Sequence, residues 1–145
     1  MERGGRQHKP FPDVFVIRLD VWEEMIDHCT EQLPNEACGL LSGRAAYATT
    51  IWKMKNIAPS PNSFRMDEGQ LSHVFAEIQR YGQQLVGIYH SHPTAPPFPS
   101  LLDILLTSYE DIPHIIVSMA AGVPTAGCFF IHGHIPHPVP IVIES

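Results

Sequence analysis

Leu85-Val86-Gly87-Ile88-Tyr89-His90-Ser91-His92-Pro93, followed after nine intervening residues by Asp103, decides how the rest of this 145-residue chain is read. The first five residues form an apolar run of strand length. Carrying the strand through His92 sets His90 and His92 at i and i+2, on one side of an extended backbone. Residues apolar on both faces ahead of the histidines predict a central strand. Ser100, with Asp103 three positions on, predicts a short helix from Ser100 to about Ser108 whose first turn is closed by a capping box. Two neutral imidazoles and one carboxylate make a three-ligand set that suits zinc and leaves a fourth position open for water. Plainer explanations exist for each piece: strand-end histidines bonded to backbone, and a capping box with no metal. Cap and ligand are compatible, because a fixed first turn still leaves Asp103 an oxygen to offer.

Working outward, Val14 to Leu19 reads as a short strand. A helix should open at Asp20 with Glu23 as its capping-box partner, bury Trp22, Met25, Ile26, Cys29 and Leu33, and stop at Pro34. Glu36-Ala37-Cys38-Gly39-Leu40-Leu41-Ser42-Gly43 predicts a strand of small residues that lets other backbone come close, with Ala45–Met54 as its antiparallel partner. Asp67 and Gln70 cap a second helix with Leu71, Val74, Phe75 and Ile78 on its apolar face, ending near Tyr81-Gly82. Ile115–Met119, Gly127–Ile131 and Val139–Ile143 complete the strands. The expected fold is α+β: a mixed, mostly antiparallel sheet flanked by two main helices, plus the short helix that carries Asp103. Residues 1–12 are polar and lack periodicity, so a mobile tail is expected there and a single domain over 13–145.

Composition narrows the function classes. With 44% hydrophobic residues and 17% charged, the chain is an ordinary globular one, long enough to bury roughly 70% of its unfolded surface. A net charge of −6 and a pI near 5.8 argue against nucleic-acid binding, which needs a basic face. No apolar segment has membrane-spanning length and no secretory h-region opens the chain, so no membrane association is expected. Three cysteines without CxxC spacing, Cys29, Cys38 and Cys128, read as reduced, buried thiols, which places the protein in the cytoplasm.

The blocks Glu36–Gly43 and His90-Ser91-His92-Pro93-x6-Ser100-Leu101-Leu102-Asp103 resemble the two signature blocks of the JAB/MPN metalloproteases, the JAMM motif, and the likeness runs over about residues 14–143. The resemblance implies an MPN fold, similar to that of the cytidine deaminases, and one Zn2+ per chain held by His90, His92 and Asp103. It implies that Glu36 acts as general base on the fourth-site water and that Ser100 supports the oxyanion. The physics is consistent, since zinc brings the pKa of bound water to ~7, within reach of a carboxylate base. The chain is similar to the small stand-alone prokaryotic type, having neither the long insertions nor the second Cys/His zinc site of larger members. Such proteins act on the C-terminal tails of ubiquitin-like sulfur carriers ending in Gly-Gly, by peptide or isopeptide hydrolysis. A homodimer is compatible with this type. Two alternatives stay open: a non-catalytic MPN scaffold that has kept its ligands, and a cell-wall or phage-tail type of peptidase.

Other features carry less. His132-Gly133-His134 with His137 nearby could form a second metal cluster, although a hairpin turn with exposed histidines explains it better. His28, His73 and His114 have no partner spacing and default to surface or satisfied positions. Cys38 fits a buried inert thiol better than a nucleophile. The loop Thr94–Pro99, stiffened by three prolines, would hold the ligand set in place, with Phe98 either lining a groove or anchoring the loop. The segment Asn56–Arg65 is where an extended substrate tail could pair with an exposed strand edge.

Overall fold

The computed structural model describes residues 10–107 and 109–145. Most of the expected tail lies outside the described residues. Phe11, within the expected tail, packs its ring 4.9 Å from both Phe130 and His137.

In chain order the elements are β1 (Phe15–Arg18), α1 (Leu19–Gln32), β2 (Cys38–Arg44), β3 (Tyr47–Met54), α2 (Glu68–Arg80), β4 (Gln84–His92), α3 (Leu101–Leu105), β5 (His114–Ser118), β6 (Thr125–His132), β7 (Ile135–Val139) and β8 (Ile141–Glu144). Among the described residues the eight strands form one sheet in the order β7-β6-β5-β4-β2-β3-β1-β8. Four of its pairings are antiparallel, β2–β3, β2–β4, β5–β6 and β6–β7. Three are parallel, β1–β3, β1–β8 and β4–β5. The α+β expectation of a mixed, mostly antiparallel sheet is met.

The two strands at the ends of this order, β7 and β8, are neighbours in sequence, separated only by Pro140. The sheet must therefore curl until its margins meet at that residue. Pro140 has no N–H to give a ladder, which divides the single strand expected over 139–143 in two. Its carbonyl still accepts from Phe15 N at 2.8 Å.

Strand alternation sorts side chains to two cores. Tyr89 joins Phe15, Met25, Cys29, Ala37 and Leu41 in the core beside α1. Ile88 joins Cys38, Leu40, Met54, Val74 and Ile78 in the core beside α2. His90 and His92 share the parity of Ile88, so both imidazoles lie on the α2 side. Gly39 pairs with Tyr89 across β2 and β4, and a Cβ there would collide with the Tyr89 ring. The small residues of the Glu36–Gly43 block serve this close approach.

Local signals held unevenly. Asp67 accepts from Gln70 N at 2.9 Å, and Ser100 with Asp103 forms a full capping box. The box expected from Asp20 and Glu23 does not form. The helix begins one residue earlier with Arg18 as N-cap and no side-chain cap, because the Asp20 carboxylate is engaged by the Arg18 guanidinium at 2.7 and 2.9 Å. His132-Gly133-His134-Ile135 is a tight hairpin turn, with Gly133 at φ 58° and His134 at φ 62°, the primed geometry that joins twisted strands.

Candidate metal centre

Three parts of the fold converge at the end of β4. The strand presents His90 and His92, the two residues ahead of β2 bring Glu36, and the first turn of α3 brings Asp103. Donor atoms of Glu36, His90 and His92 all lie within 4.8 Å of one another. Asp103 closes the group, with Oδ2 3.1 Å from His92 Nε2 and Oδ1 3.8 Å from His90 Nε2. Glu36 Oε1 lies 3.3 Å from the other nitrogen of His90, Nδ1. The four expected ligand and base residues are thus brought together.

The two carboxylates are not equivalent. A single ion meets one nitrogen of an imidazole, and the tightest trio includes Glu36 while Asp103 touches both histidines. Tetrahedral zinc sets its ligand atoms about 3.3 Å apart. Glu36 meets that spacing at 3.3 Å through His90 Nδ1, and Asp103 brackets it at 3.1 and 3.8 Å through the Nε2 atoms of both rings, with a different oxygen to each. Spacing alone therefore leaves either carboxylate able to serve as the third donor.

Orphaned atoms test whether a cation fits. His90 is fully buried and Glu36 only 2% exposed, yet His90 Nδ1, His90 Nε2 and Glu36 Oε1 have no hydrogen-bond partner. Buried polar atoms are rarely left unsatisfied without a reason, and an unplaced ion is one. His92 makes the same point: Nδ1 faces the Pro96 carbonyl at 2.9 Å and Nε2 faces Asp103. With acceptors on both sides, a proton or a metal ion must lie between Nε2 and the carboxylate. Burial opposes charge on His92, but the Asp103 hydrogen bond and the Pro96 carbonyl outweigh it and raise its pKa. Burial likewise pushes Asp103 upward, and the His92 hydrogen bond, the nearby His90 and the Ser100 N–H together hold it well below the carboxylate range.

The surroundings explain how these groups are held. The proline-rich loop supplies Pro96 O, which fixes the His92 ring, and Ser118 Oγ ties that loop down through Ala95 O at 2.6 Å. Phe98 is largely exposed and leans on Phe129. Ser100 Oγ accepts from Asp103 N at 3.0 Å. Phe64 stacks on His90, ring centroids 4.7 Å apart. Beside Asp103 opens a cavity of about 460 Å3 walled by Leu40, Phe64, Met66, Phe75 and Leu102, with His114 among its lining.

His28 takes the satisfied position among those expected for it, buried with its Nδ1 2.7 Å from Tyr89 OH. Two residues here escaped sequence reasoning. His114 is buried, its Nδ1 without a partner, and burial beside His90 pushes its pKa down to about 4. Asn56, read only as the start of a loop, is buried and bonded to four backbone groups. An asparagine that follows a strand and heads a Pro/Ser-rich loop is an Asx-turn signal that could have found it. His132 meets Glu110 at 3.7 Å, and among the described residues no second metal-binding group includes the hairpin histidines.

Fold and donor set together define an α+β domain with a buried histidine–carboxylate centre able to hold a metal ion. The chain belongs to the prokaryotic homologs of the JAB domain, whose family model matches residues 18–129. That family is metal-dependent. A CysO-cysteine peptidase of Mycobacterium tuberculosis is 33% identical over 107 residues, covering 72% of this chain and 73% of the relative. A probable TtuB-protein conjugate cleaving protease of Thermus thermophilus is 34% identical over 104 residues, covering 71% and 69%. The solution structure of a Desulfitobacterium hafniense protein superposes with a TM-score of 0.84 at 28% identity, covering 91% of this chain and 94% of that one.

Proposed function

We propose that this chain is a zinc-dependent peptidase that cuts at the C-terminal tail of a ubiquitin-like sulfur-carrier protein, in the cytoplasm, with one catalytic domain beginning near residue 13. The observation that carries the reading is the buried donor cluster with its orphaned His90 and Glu36 atoms. The substrate class rests on the two named relatives, one a peptidase for a carrier–cysteine adduct and the other a conjugate-cleaving protease.

His90, His92 and Asp103 would hold the ion. When bound, zinc lowers the pKa of water toward ~7 and polarises a carbonyl oxygen. Glu36 takes the proton of the attacking water and returns it to the leaving amine, so that its one unpartnered oxygen serves both halves of the reaction. The Ser100 hydroxyl donates to the oxygen on which negative charge builds. The Phe64 ring over His90 and the apolar cavity keep bulk water from the histidines and strengthen the electrostatics of the site. A tail ending in Gly-Gly suits this centre, because glycine lets a backbone approach the buried donors without side-chain collision.

The test combines metal analysis with a Glu36→Gln variant. Purified protein is expected to carry one zinc per chain and to cleave a carrier extended past its Gly-Gly terminus. Glu36→Gln should keep the metal and lose on the order of a hundredfold or more in kcat. Zinc-loaded protein with no turnover on any such carrier would instead favour an interaction module.

A further inference from the structure

The Glu36 carboxylate has little to hold it at its own end. Oε1 is buried without a hydrogen-bond partner, and residues 36 and 37 precede the first residue of β2. Its placement comes from the backbone: the Glu36 N–H donates to Ser60 O at 2.8 Å, and the next peptide unit is held by side chains at both edges. The Glu36 carbonyl accepts from Asn56 Nδ2 at 3.0 Å. The Ala37 N–H, the other half of the same planar unit, donates to Ser91 Oγ at 2.8 Å. We infer that Asn56 and Ser91 are positioning residues that grip the Glu36–Ala37 peptide plane from its two sides and so set where the Glu36 carboxylate stands.

Peptide planarity gives the grip its effect. Oxygen and N–H lie on opposite edges of one rigid plane, so anchoring both stops its rotation about the Cα–Cα axis. Both anchors are rooted. Asn56 spends its second amide hydrogen on Ser63 O at 3.3 Å, and its Oδ1 accepts from Ala58 N and Arg65 N, each at 3.1 Å. All four of its capacities are used. The amide orientation is fixed too, since a flip would set oxygen against two carbonyls and NH2 against two N–H groups. Ser91 lies between His90 and His92, and its own N–H donates to Ala37 O at 3.0 Å. The plane that carries Glu36 is therefore registered directly to the strand that carries the histidines. Through Ser63 and Arg65, Asn56 also holds the segment that lays Phe64 on His90. The inference rests on the reading of Glu36 as proton carrier.

The test compares Ser91→Ala, Ser91→Cys and Asn56→Asp with wild type as zinc-loaded protein, on a ubiquitin-fold carrier extended by one residue past Gly-Gly. Ser91→Ala and Asn56→Asp are expected to lose on the order of tenfold to a hundredfold in kcat, with KM and zinc content held within about twofold. Ser91→Cys, a similar side chain with a weaker acceptor, should fall between, and it keeps the test alive if Ser91→Ala does not fold. In a Glu36→Gln background, Ser91→Ala should cost nothing further, because both changes act through one group. Hydrogen exchange supplies a readout without substrate: Ala37 should lose protection in Ser91→Ala while Leu41 in β2 keeps it. An equal loss of kcat in both backgrounds, loss of zinc in step with kcat, or unchanged kcat with a released Ala37 amide would each overturn the inference. Full turnover by Glu36→Gln alone would overturn the underlying reading instead, and Ala37 exchange would still report on the clamp.

Discussion

His92 and Glu36 differ in the kind of loss their replacement should cause. His92 is held by Pro96 on one nitrogen and faces Asp103 with the other, so His92→Ala removes a donor and should empty the site. We expect at least a tenfold to hundredfold weaker zinc affinity, measured by competition with a chelating dye, whereas Glu36→Gln should bind zinc normally. The cysteines give a prediction with a pH sign. Burial pushes the thiol of Cys128 up to about 12, and Cys29 and Cys38 are raised to about 12 with burial again the main cause. Their thiolate forms are thus scarce at neutral pH, and a thiol reagent should label none of them until the protein unfolds. A raised folded pKa adds stability that is complete below the unfolded value, near ~8.5, and is lost as pH climbs from there toward the folded value. Thermal unfolding followed from pH 8 to 10 should show falling stability, and the decline should be shallower in Cys128→Ala.

At the scale of elements, α3 shows one turn serving two ends. Ser100 Oγ caps Asp103 N, while Asp103 Oδ2 accepts from Ser100 N at 2.8 Å and faces His92 with the same atom. Ser100→Ala should cost about 1 kcal/mol of stability from the lost cap and also weaken zinc binding, a pairing that calorimetry and metal titration would separate from the effect of Glu36→Gln. This element was legible in advance, because S-x-x-D has a local meaning that needs no tertiary context. The strand of His90 and His92 was legible for the same reason, an apolar run with fixed alternation. What stayed hidden depended on distant partners. Asn56 gains its role only when Glu36 and the residue 63–65 segment arrive beside it. His114 gains its burial only when β5 pairs with β4. The start of α1 was misplaced because Arg18, a residue with no capping chemistry, took the carboxylate that would have formed the box.

For the whole molecule, metal and fold are linked by mass action. An ion that binds only the folded state adds stability that grows with its concentration, about 2.7 kcal/mol at a hundred times Kd. Chelation should therefore lower Tm in wild type and leave the Tm of Asp103→Ala unmoved. Curling the sheet at Pro140 has a different consequence. In the strand order, β4 and β2 stand at the centre with three strands on either hand, and β7 and β8 meet at the seam. Local opening in such a sheet starts where pairing ends, so amide exchange should be fastest along β7 and β8 and slowest along β4. The molecule therefore keeps its loosest join diametrically opposite its chemistry, and a breath at the last proline has three ladders to cross from β7 before His90 or His92 feels it.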